Sequence, residues 1–432
     1  MPSTAQQKSS QVLRTILWIL IFLAAAEFVM RGPVRYLRER SNWNDLSQNY
    51  TASKLWLQGK SPSDPENFVA LWKQEGHSRL DITDIRTHLA PPLGGLVVLA
   101  PVAALPWKMA RIAWMLLLSI SVAATIWSLA QAAGFAWTDL RSLTFIAACL
   151  ALAPFQTGLA SGNATIFVIG LCALAIWAAR DRRDSFAAVL FGIACAVKPQ
   201  LGAFLVFYYL VRKRWRLFST AVATTLVLNL IAVLYLQLRG ASWLQDYLRN
   251  ARGFVSANHI DDFTTDNPAR FTLINLQVPF FSITGHSSSA NWLAFGVTLA
   301  LICAWIYWTI RRKDNVSELL CLGAISAVAL LPVYHRFYDA SLLAVPLSWC
   351  IVNAFGSSKM SARLALMPMA LFLFPGSAFL QQLAVHGRVS DSVIHSWWWN
   401  CIVMPHETWA IVLISLVLIH AIKSSSLRPE TR

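Results

Sequence analysis

Residues 186–211 read FAAVLFGIACAVKPQLGAFLVFYYLV, and their one charged residue, Lys198, stands beside Pro199 near the centre. Proline disfavours helix at the residue before it, so the stretch predicts two helices broken at Lys198. Each half reaches only ~20 Å at 1.5 Å per residue, short of the ~30 Å apolar core of a bilayer. The pair is therefore expected to turn back within a membrane, with Lys198 at the turn. The rest of the chain agrees with that solvent: its 432 residues are 56% hydrophobic and only 13% charged, with mean hydropathy +0.51. A soluble domain of this size is less apolar.

Working outward, apolar runs long enough to span lie near 12–30, 109–133, 142–160, 164–179, 216–238, 291–310, 317–332, 338–356, 364–382 and 406–423. With the broken pair they predict about twelve spans, the short 93–106 run being left out. Lys and Arg exceed Asp and Glu by 36 to 21. Much of the excess lies in short clusters between apolar runs, which points to membrane orientation and not to nucleic acid. Arg180 to Arg183, Arg212 to Arg214, Arg311 to Lys313, Lys359 to Arg363 and the tail with Lys423 and Arg428 all become cytoplasmic if both termini are inside. The same count sends the polar loops 31–92 and 239–290 outside. It also puts Ser161-Gly162-Asn163, Lys198-Pro199-Gln200 and His335-Arg336-Phe337-Tyr338-Asp339 at outer helix ends. The expectation is an all-α integral membrane protein, one polytopic bundle over 1–432 in the plasma (inner) membrane, with two extracytoplasmic loops.

Several chemistries lack a sequence signal. The seven cysteines form no CxxC and lie mostly in apolar stretches, so neither a disulfide framework nor a metal site is suggested. No phosphate-cradling glycine loop, nucleophile elbow or zinc helix is present. Arg14 precedes the apolar run Thr15 to Ala26 without a cleavage site after it, which reads as an uncleaved first span. In the loop 239–290, His259, Asp261, Asp262 and Asp266 match no ligand spacing and read as a solvated acidic loop. Trp397-Trp398-Trp399 reads equally as an interfacial belt or a sugar-stacking surface.

The order Asp45-x4-Tyr50-x-Ala52, Leu57-x-Gly59-Lys60, Ala90-Pro91-Pro92, Leu105-Pro106 and Trp114 resembles the start of glycosyltransferase family 87. Ser161-Gly162-Asn163, Gly192, Ala196-x-Lys198-Pro199-Gln200, Arg212-Lys213-Arg214-Trp215-Arg216 and His335-x2-Tyr338-Asp339 continue the pattern, from about 40 to 350. The resemblance implies a fold of the C-type membrane glycosyltransferase kind. It also implies an inverting enzyme that takes a monosaccharide, mannose by analogy, from a polyprenyl-phosphate donor and gives it to a lipid or glycan acceptor outside the cytoplasm. Membrane lipids are its surroundings, and no cofactor is implied.

On that resemblance Asp45 is the catalytic base. The stretch it opens is amphipathic, with Leu46, Tyr50, Ser53 and Leu57 on one face and Gly59 as a stop, and is expected to lie along the outer interface. By residue chemistry alone, Asp45 reads first as a helix N-terminal acid, and it is the resemblance that turns the reading to a base. Lys198 is a costly intramembrane charge, hence a candidate for a lipid-linked phosphate, or else a side chain snorkelling to the headgroups. His335 and Arg336 are candidates for the departing phosphate, with an Arg336–Asp339 pair as the alternative. Tyr50, Asn163, Gln200, Arg270, Asn275, Tyr338 and Asp339 are candidate substrate contacts. Many spans and a broken helix are transporter features too, so a secondary transporter or lipid flippase is the rival reading. A non-catalytic subunit of an envelope-building complex is the third.

Overall fold

The computed structural model describes residues 4–38, 44–75, 92–137, 139–253, 261–355 and 358–425. Ala90, Pro91, His259 and Arg428 of the sequence reading lie outside them. Among the described residues the regular structure is all helical, apart from one isolated bridge between Leu273 and Arg336. Large apolar side chains cover much of its surface, among them Phe22, Leu226, Trp292 and Phe295, which are more than half exposed. A surface of that kind needs lipid against it.

Fewer helices are long than the apolar runs predict. Among the described residues five are long and apolar enough to cross a bilayer, and up to seven if two bent pairs each count as one. The difference from about twelve has local causes. The 142–160 run breaks at Leu152, two residues before Pro154, into Leu140–Ala151 and Ala153–Ser161, bent by 46°. The 364–382 run breaks before Gly376, at Pro375, with a 42° bend. In 317–332 the helix ends at Val328, and 338–356 begins as a 3-10 turn, Phe337–Leu343. Prolines and tight turns thus divide several apolar runs that hydropathy alone would carry across whole.

The break at Lys198 is as expected: helices Asp184–Val197 and Pro199–Val211 meet there. They fold back on each other closely enough that a Cβ on Gly202 would come 2.8 Å from Cys195 Sγ. Small residues permit such contact, as in other membrane bundles. Gly192 does the same against Thr224 of helix Trp215–Leu238, and Gly170 against Ser121 of helix Trp107–Ala132. The short helix Leu93–Ala103 leans on the elbow, with Gly94 N–H donating to Asn229 Oδ1 at 3.0 Å and its Cα facing Ala196. Helix Glu318–Val328 is apolar and buried on all sides, which marks the centre of the bundle.

The described parts of the two polar loops sit at one end. Helices Asp45–Leu57 and Pro65–Gln74 build a small core of Leu55, Trp56, Phe68 and Trp72 on Leu93, Leu96, Ala232 and Leu236. Asn250, from the second loop, donates to the Ser63 carbonyl at 3.1 Å. At the other end the basic clusters interlock: Arg212 donates to the Lys313 carbonyl at 2.9 Å, and Arg214 bonds Asp184 and lies 3.6 Å from Glu318. Polar loops and basic loops therefore occupy opposite ends.

The helix Asp45–Leu57 departs from the expected interfacial pattern. Leu46, Tyr50 and Ser53 are buried as expected, but so are Ser47, Thr51, Ala52 and Leu55, while Leu57 is exposed. It is a packed helix and not one lying on a surface. Gly59 does stop it: at φ +72° it lets its N–H reach the Trp56 carbonyl and that of Lys60 the Leu55 carbonyl.

Candidate functional site

The site forms where four segments meet. Asn163 is presented by a turn whose Gly162 has φ +66°, a conformation few other residues accept. A Cβ there would also come 2.6 Å from the Tyr36 ring. The Gly162 carbonyl accepts from Trp114 Nε1 at 2.8 Å, and Asn163 Oδ1 accepts from Thr165 N–H at 2.8 Å. Asn163 Nδ2 is thereby left to donate to Asp45 Oδ2, at 2.6 Å.

Asp45 does not cap its helix. Asn44 does: its side chain accepts from Ser47 N–H at 3.0 Å, and Ser47 Oγ accepts from Asn44 N–H in return. The Asp45 carboxylate instead turns into a recess, partly accessible, where burial pushes its pKa above the usual aspartate value. The Asn163 hydrogen bond and the charges of Arg336 and Lys198 pull it back down without cancelling the rise.

Lys198, in the elbow, points inward and not to headgroups. Its Nζ donates to Thr165 Oγ1 and Asp339 Oδ1, each at 2.6 Å, and lies 5.0 Å over the Tyr338 ring. Its side chain keeps 17% exposure, so one flank stays open. Asp339 is fully buried and saturated: besides Lys198 it bonds the Thr165 hydroxyl, His335 Nδ1 at 3.2 Å and Arg336 N–H at 3.2 Å. Asp339 is thus an internal anchor for the cations. The contact between Arg336 and Asp339 runs through the backbone. The Arg336 side chain donates elsewhere, to the Tyr334 hydroxyl at 2.7 Å and to Thr272 Oγ1 at 3.4 Å. His335 is buried, with no hydrogen bond at Nε2.

The fold therefore gathers Asp45, Asn163, Lys198, His335, Arg336, Tyr338 and Asp339. It places others elsewhere. Tyr50 donates to the Leu105 carbonyl at 2.9 Å, accepts from Lys54 and meets Trp107 edge-on, which is a packing role. Asn275 caps the helix Gln277–Thr284 by accepting from Val278 N–H at 3.1 Å. Arg270 is buried against Phe271 and reaches Asn400 at 3.3 Å. Gln200 is half-buried in the first turn after the elbow. Trp399 is buried, whereas Trp397 and Trp398 are exposed.

Two residues that the sequence reading passed over belong to the network: Thr165 bridges Lys198 and Asp339, and Tyr334 seats Arg336. Asp261 is not solvated as expected, since both its carboxylate oxygens are buried, and neither makes a hydrogen bond. Thr165 stands two positions after Asn163 at a helix start, and the sequence reading passed it over. Among the described residues no group of three His, Cys, Asp or Glu side chains converges as a metal site. What the arrangement can do is plain in outline. A carboxylate in a recess faces two fixed cations, which suits removal of a proton on one side and stabilisation of an anion on the other.

An apolar groove of about 560 Å³ is lined by Pro199, the residue after Lys198, and by Phe204, Phe207, Phe218, Leu226 and Ile302. In comparisons with known proteins, residues 91–333 match the family model for glycosyltransferase family 87. The matched span holds Asn163, Thr165, Lys198 and Asp261. No curated protein and no solved structure matches the chain.

Proposed function

The chain belongs to glycosyltransferase family 87 and is a membrane glycosyltransferase; we propose that its donor is a polyprenyl-phosphate monosaccharide, mannose by family analogy, and its acceptor a lipid or glycan outside the cytoplasm. The observation that carries this reading is the hydrogen-bonded run from Asp45 through Asn163 and Thr165 to Lys198 and Asp339, with Arg336 on the same aspartate and an apolar groove lined by the neighbouring Pro199. Asp45 takes the proton from the acceptor hydroxyl as that oxygen attacks the anomeric carbon. The bond to the phosphate oxygen breaks on the opposite face, so configuration inverts. Lys198 and Arg336, with His335 beside them, stabilise the charge that grows on the departing phosphate, where electrostatic help lowers the barrier. Asn163 holds the base in place. The polyprenyl tail lies along the groove beside Pro199, which lets lipid solvate it while the phosphate reaches the cations. A nucleotide-sugar donor would bring its charge to the basic end of the bundle, away from Asp45. The transporter reading gives way to the family assignment.

The test is incubation of the purified protein in lipid nanodiscs with radiolabelled undecaprenyl-phosphate sugars, mannose first, and a membrane lipid extract. A new labelled lipid or glycan is the expected product. Labelling from nucleotide sugars alone would overturn the donor assignment.

A further inference from the structure

Gly162 and Asn163 stand between helix Ala153–Ser161 and helix Thr165–Arg180, and the left-handed turn they form is clamped by a third helix. Trp114, on helix Trp107–Ala132, is fully buried, and its indole has one N–H to give. That N–H goes to the Gly162 carbonyl at 2.8 Å. Arg111 precedes Trp114 by three residues and so shares its face of the helix. Its Nη2 donates to the Tyr36 carbonyl at 2.8 Å, and its guanidinium lies 5.3 Å over the Tyr36 ring. The edge of that ring closes on Gly162 and leaves no room for a side chain there. One helix thus holds the turn at its carbonyl directly and at its Cα through Tyr36. The same helix is locked to Thr165–Arg180, where Gly170 packs on Ser121 with no space for a methyl group. Asn163 follows the turn: its N–H goes to the Gly158 carbonyl at 2.9 Å, its Oδ1 accepts from Thr165 N–H, and its Nδ2 is left to meet Asp45.

We infer that Trp114 is a positioning residue for the base: through the Gly162 carbonyl it fixes the turn that aims Asn163 Nδ2 at Asp45. The inference rests on the reading of Asp45 as the base given above. Phenylalanine at 114 keeps an aromatic ring in the buried site but has no N–H, so the Gly162 carbonyl loses that donor and the turn is free to shift. Asn163 then no longer meets the carboxylate at hydrogen-bond distance.

Two measurements on the full-length protein in nanodiscs test this. With radiolabelled undecaprenyl-phosphate mannose and a membrane lipid extract, Trp114→Phe is expected to lower kcat about tenfold, the worth of one hydrogen bond. Affinity for undecaprenyl phosphate should change by no more than about twofold. The acid limb of the kcat–pH profile should move to higher pH, as in Asn163→Ala, because the carboxylate loses a donor that favours its ionised form. Combining Trp114→Phe with Asn163→Ala should cost no more than Asn163→Ala alone, since Trp114 acts through Asn163. Losses that multiply, or an acid limb that stays where it is in the wild type, would overturn the inference. Cryo-EM maps read the contact directly: the Asn163 carboxamide should leave Asp45 in Trp114→Phe, and a carboxamide unmoved would also overturn it. Should Trp114→Phe not fold, Tyr36→Leu, which removes the ring behind Gly162, carries the same expectations. Failure of the wild type to transfer the sugar, or full turnover by Asp45→Asn, would count against the reading of the site, and the maps would still decide whether Trp114 positions Asn163.

Discussion

Asp45 shows how a helix terminus can hold a reactive acid without using it as a cap. Asn44 and Ser47 satisfy the first turn, so the carboxylate next door is released to Asn163. Its folded pKa lies above the unfolded value because burial outweighs its partners. The stability it contributes is therefore full below its unfolded pKa and lost as pH rises through the folded one. Asp45→Asn should accordingly raise the melting temperature relative to wild type at pH 8 and lose that advantage toward pH 4, as read by unfolding in detergent. A fall in stability at pH 8 would assign Asp45 a structural role. Lys198 matters to stability through its partner Asp339. Lys198→Met leaves the buried Asp339 without its cation, a change that typically costs ~3–5 kcal/mol. Adding Asp339→Asn should recover most of that stability while donor use stays impaired, with melting temperature and donor KM as the two readouts. Recovery of both would reduce Lys198 to an anchor. The parts of the site legible in the sequence were those with a local oddity, such as a lysine in an apolar run or Gly162-Asn163 at a helix end. Thr165 was not legible, because it acts through bonds to Lys198 and Asp339, both remote in sequence. Tyr50 and Asn275 show the reverse, polar residues whose bonds turned out to be packing and capping.

Among the elements, the elbow at Lys198 was the most legible, since a proline and two short apolar halves leave few alternatives. The bends at Leu152 and Pro375 follow the same rule, but hydropathy read each run as one span. Packing decided the helix Asp45–Leu57, whose sequence pattern predicts one buried face while Trp72, Leu93 and Ala232 cover more of it. Pro199 of the elbow also lines the groove. Ala203 lines that groove and is exposed, so Ala203→Trp should fill it without disturbing the core. The expected result is a donor KM raised about tenfold for a long polyprenyl chain and little changed for a short-chain analogue, since a bulky ring excludes the tail and leaves the phosphate contacts intact. Equal effects on both donors would place the tail elsewhere.

At the scale of the whole molecule, charge and polarity sort to opposite ends. The basic loops interlock through Arg212 and Arg214, while the two polar loops join through Asn250 and Ser63 around the site. The sorting was legible from the short-loop charge count, though the number of spans was not, because several apolar runs are broken or buried instead of crossing straight. If the basic end faces the cytoplasm, single cysteines at the exposed positions Gln74 and Ser287 should react with an impermeant thiol reagent in intact cells, in a cysteine-free background, and one at Ser185 should not. Labelling at Ser185 alone would invert the orientation.

The most direct measurement is sugar transfer from radiolabelled undecaprenyl-phosphate mannose by wild type and Asp45→Asn, matched for donor binding and monodispersity. Asparagine keeps the shape of the side chain but accepts no proton, so transfer should fall by roughly 10²–10⁴-fold while donor affinity persists. Turnover by the variant near the wild-type rate would contradict Asp45 as the base and with it the proposed mechanism.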